Sequence, residues 1–410
     1  MSAAPVAPSA LTKARKYKAT RVEVGESKGE ASPSKLKKGK GVSLNIAQAS
    51  PHVTAKMDHK KCDEFKRITT FRKHTRAVYW CAWHPDDIRI ATCSHDVSIN
   101  VWNTSTGALT RTLKGHKNWV LQVCWTNCGE YLLSASADST LMMWNVATSR
   151  LMHTFVGHDD FVMGLSLSPD GETLASASKD KSICFWELKK AHGLGDVRSM
   201  DSMTCRILGH PTYKDGHSDL VQRVIWHPEG GEVLTCSQDQ TIRRWRSSSG
   251  KLLHTYRGHT DYVLGIAFNP KGDIFVSSSH DKLVKIWNYK SGICLQTLKG
   301  HRDIVYGCAF IPSGNGQKLI TCGHDRRIIV WDRTTGERLS METNTHRSWV
   351  LCVAVAQDSL RFCSASGDQT LAMWVARPPG CGGNMELVRL GRKIVRLWAK
   401  IAPCWNRGTG

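Results

Sequence analysis

The chain has 410 residues, 41% hydrophobic and 22% charged, enough apolar material for a large folded core. Its longest uninterrupted apolar run, Trp349 to Ala356, is too short to cross a bilayer as a helix, and fifteen cysteines with no CxxC pair argue against a disulfide or zinc framework. The formal charge of +21 sits mainly at the ends: residues 1–64 carry +7 and residues 375–410 carry +6, which favours acidic partners there.

Residues 1–62 are rich in Lys, Ser, Ala and Gly and hold too few apolar residues for a core, so a disordered basic tail is expected. The first eighteen residues have no basic stretch ahead of an apolar core and do not read as a secretory signal, which favours cytosol or nucleus. The KLKKGK cluster suits nuclear localisation or electrostatic RNA contact, but no interleaved aromatics offer base stacking. Gly25-Glu26-Ser27-Lys28-Gly29 matches a nucleophile-elbow pattern, yet it lies in the Lys-rich tail without a preceding strand and is rejected.

From residue 63 to 376 the sequence repeats. Trp102, Trp144 and Trp186 are spaced by 42, as are Trp245 and Trp287, and the series continues to Trp331 and Trp374. Six residues before each Trp stands Asp96, Asp138, Asp180, Asp239, Asp281, Asp325 or Asp368. A His precedes each Asp by 22 residues, namely His74, His116, His158, His217, His259 and His346, or by 24 at His301. Four residues before each Asp is a hydroxyl: Thr92, Ser134, Ser176, Thr235, Ser277, Thr321 or Ser364. Such a set is self-satisfying when buried: indole N–H to hydroxyl, hydroxyl to imidazole, imidazole to carboxylate. A hydrolytic triad occurs once with its nucleophile free, whereas here the set recurs seven times with the hydroxyl committed, so it reads as structural. Cys93, Cys236, Cys322 and Cys363 lie in apolar runs and read as reduced core residues, and Cys124 and Cys128 as packing rather than metal ligands.

Between Trp186 and His217 an insertion separates the third and fourth copies, with Met203 to Leu208 as its strand and longer loops at Lys189 to Ser202 and His210 to Gly216. In residues 377–410, past Pro378-Pro379-Gly380, Leu387, Leu390, Ile394, Leu397 and Ile401 recur at helical spacing with Trp398 beside them. Arg389, Arg392, Lys393, Arg396 and Lys400 fall opposite, so a basic amphipathic helix is expected there, suited to docking on a protein or, second, on an anionic membrane.

Stretches such as GHKNWVLQVCWTNCGEYLLSASADSTLMMW closely resemble the WD40 repeat, over about residues 65–375. The resemblance implies an all-β, closed seven-bladed β-propeller in which each repeat supplies the outer strand of the preceding blade. Lys66 to Phe71 would then close the seventh blade and remove an exposed sheet edge. It also implies a non-catalytic protein-binding scaffold or adaptor with no cofactor and no metal. Partners would meet residues three and five after each His: Ala77 and Tyr79, Trp119 and Leu121, Phe161 and Met163, Leu220 and Gln222, Tyr262 and Leu264, Ile304 and Tyr306, Trp349 and Leu351. Of these, Tyr79, Trp119, Leu121, Phe161, Met163, Tyr262, Tyr306 and Trp349 are the expected contacts. His95, His280 and His324, each just before a blade Asp, lie in three blades and read as solvated turn residues rather than a metal site. The Gly expected before the repeat His is Lys73 in the first copy and Thr345 in the last, so those loops should differ in backbone shape. Alternatives are an RNA- or chromatin-associated factor held by its basic tails, and a ubiquitin-ligase substrate receptor. Trp331-Asp332-Arg333-Thr334 places its Arg one position early for the latter.

Overall fold

The computed structural model describes residues 65–188, 205–208, 216–343 and 345–376. Among these residues there are 28 strands, numbered β1–β28 in chain order, arranged as seven four-stranded antiparallel sheets. The expected basic tail at 1–62, the insertion loops at 189–202 and 210–215, and the C-terminal helix lie outside the described residues. No helix among the described residues is long and apolar enough to cross a membrane.

Strand composition follows burial. The second strand of a blade, such as β7 (Tyr131–Ser136, YLLSAS), is covered on both faces and is a continuous run of apolar and small residues. The outermost, such as β5 (Leu109–Lys114, LTRTLK), is mostly exposed and carries Thr, Arg and Lys. Turn chemistry separates them: Gly171, ending Ser168-Pro169-Asp170-Gly171, has φ +76°, where a side chain would be strained.

Each blade packs its face on the next. Leu132, Met142 and Trp144 of the second blade share one cluster with Ile99 and Val101 of the first, and equivalent clusters lie between the other neighbours. The innermost strands touch in series, and β2 (Val78–Trp83) touches β26 (Val350–Val355), so the ring closes. Closure is made by β1 (Phe65–Arg72), antiparallel to β28 (Thr370–Ala376) with Phe65 opposite Ala376 and Arg72 opposite Thr370. The sequence-expected strand, Lys66 to Phe71, is thus one residue longer at each end. In the insertion, β13 (Cys205–Leu208) falls within the expected Met203 to Leu208, whose first two residues lie outside the described residues, and completes the third blade against β12 (Ile183–Glu187).

Candidate partner-binding face

All seven four-residue sets assemble. In the second blade Trp144 Nε1–H donates to Ser134 Oγ at 2.9 Å, His116 Nε2 lies 2.7 Å from the same oxygen, and His116 Nδ1 lies 2.8 Å from Asp138. One arrangement satisfies every atom: the hydroxyl donates to Nε2, and Nδ1–H donates to the carboxylate. The remaining indoles donate to Thr92, Ser176, Thr235, Ser277, Thr321 and Ser364 at 2.8–3.0 Å. The partner histidines His74, His158, His217, His259, His301 and His346 contact their Asp at 2.7–3.0 Å.

The Asp also shapes the turn it sits in. Asp138 Oδ1 accepts the N–H of Thr140, while Ser139 between them has φ +67°. The same left-handed residue follows every blade Asp, including β-branched Val97 at φ +70°. Burial alone would raise the Asp138 carboxyl, but His116 and the Thr140 hydroxyl hold it well below the usual carboxylate range. The Gly before the repeat His has a role in packing on the indole. A Cβ on Gly115 would fall 2.8 Å from Trp144 Cη2, and one on Gly300 2.8 Å from Trp331 Cη2.

The loops entering the innermost strands and the blade-Asp turns share one face, and there the rim aromatics collect. Trp119, Tyr262 and Trp349 are 39%, 39% and 46% exposed. Tyr79, Phe161 and Tyr306 are half-buried. Residues five after the His behave differently. The pairing of each innermost strand slips at that position, so Val120 opposes Ser136, Gln122 opposes Ala135, and Leu121 is a bulge. The same slip occurs at Tyr79, Met163, Gln222, Leu264, Tyr306 and Leu351. A bulge re-aims its side chain. Leu121 and Met163, expected as contacts, are therefore buried, at 2% and 8% exposure, clustered with Ala137 and Leu220. Tyr79 and Phe161 pack on that cluster.

The three turn histidines are not merely solvated. His95 is sandwiched between Tyr79, at 4.9 Å and 23°, and Trp119, at 4.3 Å and 13°, bridging the first two blades. Burial first, and the Arg76 charge second, lower its pKa. His324 stacks on Trp349 at 4.4 Å and donates from Nδ1–H to Asp303 Oδ2 across 2.7 Å, and His280 pairs with Asp261 at 2.7 Å beside Tyr262. Lys179 covers the Phe161 ring at 4.7 Å and pairs with Asp160. The stacks hold the aromatics upright at low entropic cost. What pointed to them in sequence was the His before the blade Asp; what was missing was that His95 and His324 each stack on an aromatic of the next blade.

Seven stretches, residues 65–103, 107–145, 149–187, 209–246, 250–288, 292–332 and 338–374, match the family model described as WD domain, G-beta repeat. The chain belongs to the WD-repeat family. Its relatives include the nuclear distribution protein PAC1 of Komagataella phaffii, 29% identical over 22% of this chain and 19% of that protein. Ribosome assembly protein 4 of Chaetomium thermophilum is 40% identical over 14% of this chain and 12% of its own length. The probable cytosolic iron-sulfur protein assembly protein Ciao1 of Culex quinquefasciatus is 35% identical over 15% of this chain and 19% of its own. The matched stretches thus span less than a fifth of each of these relatives.

Inside this WD propeller, Arg223 of β14 (Val221–Trp226) is buried and crosses the ring. Its Nη1 donates to Gln122 Oε1 at 2.9 Å and Met163 O at 2.6 Å, and the guanidinium lies 4.3 Å from the Trp80 ring centroid. Four blades are tied together by that one side chain. Cys93, Cys236, Cys322 and Cys363 are buried free thiols, and burial pushes the Cys124 thiol up to about 12. Cys128, expected to be packed, is exposed because it sits in the turn Thr126 to Gly129, 3.2 Å from Thr126 Oγ1. Among the described residues no group of three or more His, Cys, Asp or Glu is placed to hold a metal ion.

Proposed function

We propose that this protein is a non-catalytic scaffold or adaptor subunit that binds a segment of a partner protein across the aromatic face of its propeller. The observation that carries the reading is the trio Trp119, Tyr262 and Trp349, large rings left partly open to solvent and braced by stacked or paired histidines. Pre-set aromatic anchors are the groups that dominate protein interfaces. The Ser/Thr–His–Asp sets offer no free nucleophile, since each hydroxyl is held by an indole inside its blade. That similar stretches occur in proteins named for ribosome assembly and iron-sulfur protein assembly supports a place in a multiprotein assembly.

The test is affinity capture with mass spectrometry of the intact chain beside a Trp119→Ala, Trp349→Ala double variant whose unfolding midpoint is unchanged. Specific proteins recovered by the intact chain and lost by the variant support the reading. Unchanged recovery contradicts it, and capture that collapses with modest salt in both points instead to electrostatic binding.

A further inference from the structure

The seventh blade departs from its siblings at its outer edge. A cavity of about 250 Å³ opens there between β1, the start of β28 and the loop that precedes β26, lined by Arg67, Arg72 and Arg347. Thr70, Thr370 and Asp368 complete its polar wall. Asp368 is the one carboxylate lining the cavity, and its oxygens are already occupied by His346 Nδ1, the Arg347 N–H and the Thr370 N–H. Arg67 is anchored, donating from Nη1 to Thr345 O at 2.7 Å, with its guanidinium 6.0 Å from the Trp374 ring centroid. The side chains of Arg72 and Arg347 form no hydrogen bond or ion pair with any described residue. In sequence, this blade alone has a basic residue both directly after its own repeat His and two before the next, since the other blades carry Thr75, Lys117, Asp159, Ser218, Thr260 or Arg302 at the first position with Lys114, Val156, Asp215, Arg257, Lys299 or Asn344 at the second.

We propose that this cavity binds the phosphoryl group of a phosphorylated serine or threonine in the partner segment. Three guanidinium groups around one fully committed carboxylate leave excess positive charge facing a cavity. A phosphate monoester brings close to two negative charges and three acceptor oxygens that match the planar forks of arginine. The Thr70 hydroxyl adds a neutral donor. Position selects a protein source over a lipid surface. Arg347 and the exposed Trp349 are two residues apart in one loop, so a segment lying on that ring reaches the cavity. A flat anionic membrane pressed on the same face would meet the carboxylates of Asp160, Asp219, Asp261 and Asp303 in the equivalent loops of the third to sixth blades. This inference rests on the aromatic-face reading and specifies the chemistry of what binds there.

The experiment titrates the full chain with inorganic phosphate and with N-acetyl-O-phosphoserine amide at constant ionic strength, followed by calorimetry. Arg72→Gln with Arg347→Gln removes the two uncommitted guanidinium groups; Arg257→Gln with Arg302→Gln removes two exposed arginines elsewhere as the control. Saturable binding that weakens roughly tenfold or more in the first variant and is unchanged in the control is expected. No saturable binding, or equal loss in both variants, overturns the proposal, as does tighter cavity-dependent binding to vesicles containing phosphatidylinositol 4-phosphate. Phosphatase treatment of the lysate before capture separates the two readings. If capture survives treatment yet still needs Trp119 and Trp349, the aromatic face stands and the phosphoryl site falls. If phosphoserine binding needs Arg72 and Arg347 while capture ignores the aromatics, the face reading falls.

Discussion

Substituting Ser134 by Ala tests whether the recurring four-residue set stabilises the blade through hydrogen bonding. Ser134 is fully buried, and its oxygen takes the Trp144 indole N–H at 2.9 Å and lies 2.7 Å from His116 Nε2. The alanine variant loses little volume but leaves two buried polar atoms without partners. Each such orphan costs about 1–3 kcal/mol, so Ser134→Ala should destabilise by about 2–6 kcal/mol. Ser134→Thr should stay within about 1 kcal/mol, since Thr92, Thr235 and Thr321 fill the same place with indole bonds of 2.8–3.0 Å. Trp144→Phe removes the donor instead, and in a double-mutant cycle with Ser134→Ala should show coupling of about 1 kcal/mol or more. Urea unfolding followed by tryptophan fluorescence measures the wild type and all four variants. A Ser134→Ala cost below about 0.5 kcal/mol, or additive single and double variants, would refute the reasoning.

Two further outcomes follow from the same geometry. The blade carboxylates, Asp96, Asp138, Asp180, Asp239, Asp281, Asp325 and Asp368, are raised by burial but lowered further by their His and hydroxyl partners, so their folded pKa values lie below the unfolded one. Their contribution is therefore whole above the unfolded value near about 4 and is lost as pH falls through the folded values. The carboxylate-dependent fall of the unfolding midpoint should thus set in below about pH 4, below the earlier loss that His95 and His217, with lowered pKa values, bring under about pH 6.5. An acid limb equally steep in Asp138→Asn would remove that carboxylate as a cause. Val97→Gly, at φ +70°, should stabilise by about 0.5–1 kcal/mol, the left-handed strain relieved less the added unfolded-chain entropy of Gly, and a loss of stability in thermal unfolding would contradict this.

Much of the fold was legible because it is written in fixed spacings. Trp, hydroxyl, His and Asp each satisfy the next, so their intervals defined the blades, and the resemblance to the WD40 repeat placed Lys66–Phe71 as the closing strand. The candidate face was legible in part. Spacing placed Trp119, Tyr262 and Trp349, but a bulge adds a residue without any spacing signal, so the burial of Leu121 and Met163 was not readable. Nor was the arginine cavity, because Arg72 and Arg347 meet only when the ring closes its two ends on one another.

Cross-linking mass spectrometry of the native complex tests the central claim most directly. With a photoreactive benzophenone side chain in place of Tyr262 or Trp119, and of exposed Leu151 on an outer strand as the comparison, each protein is captured with its partners and irradiated. Cross-links to one and the same partner segment from positions 119 and 262, and none from 151, are the predicted result. Partner cross-links from 151 alone would show that this propeller engages its assembly by its circumference and would contradict the account.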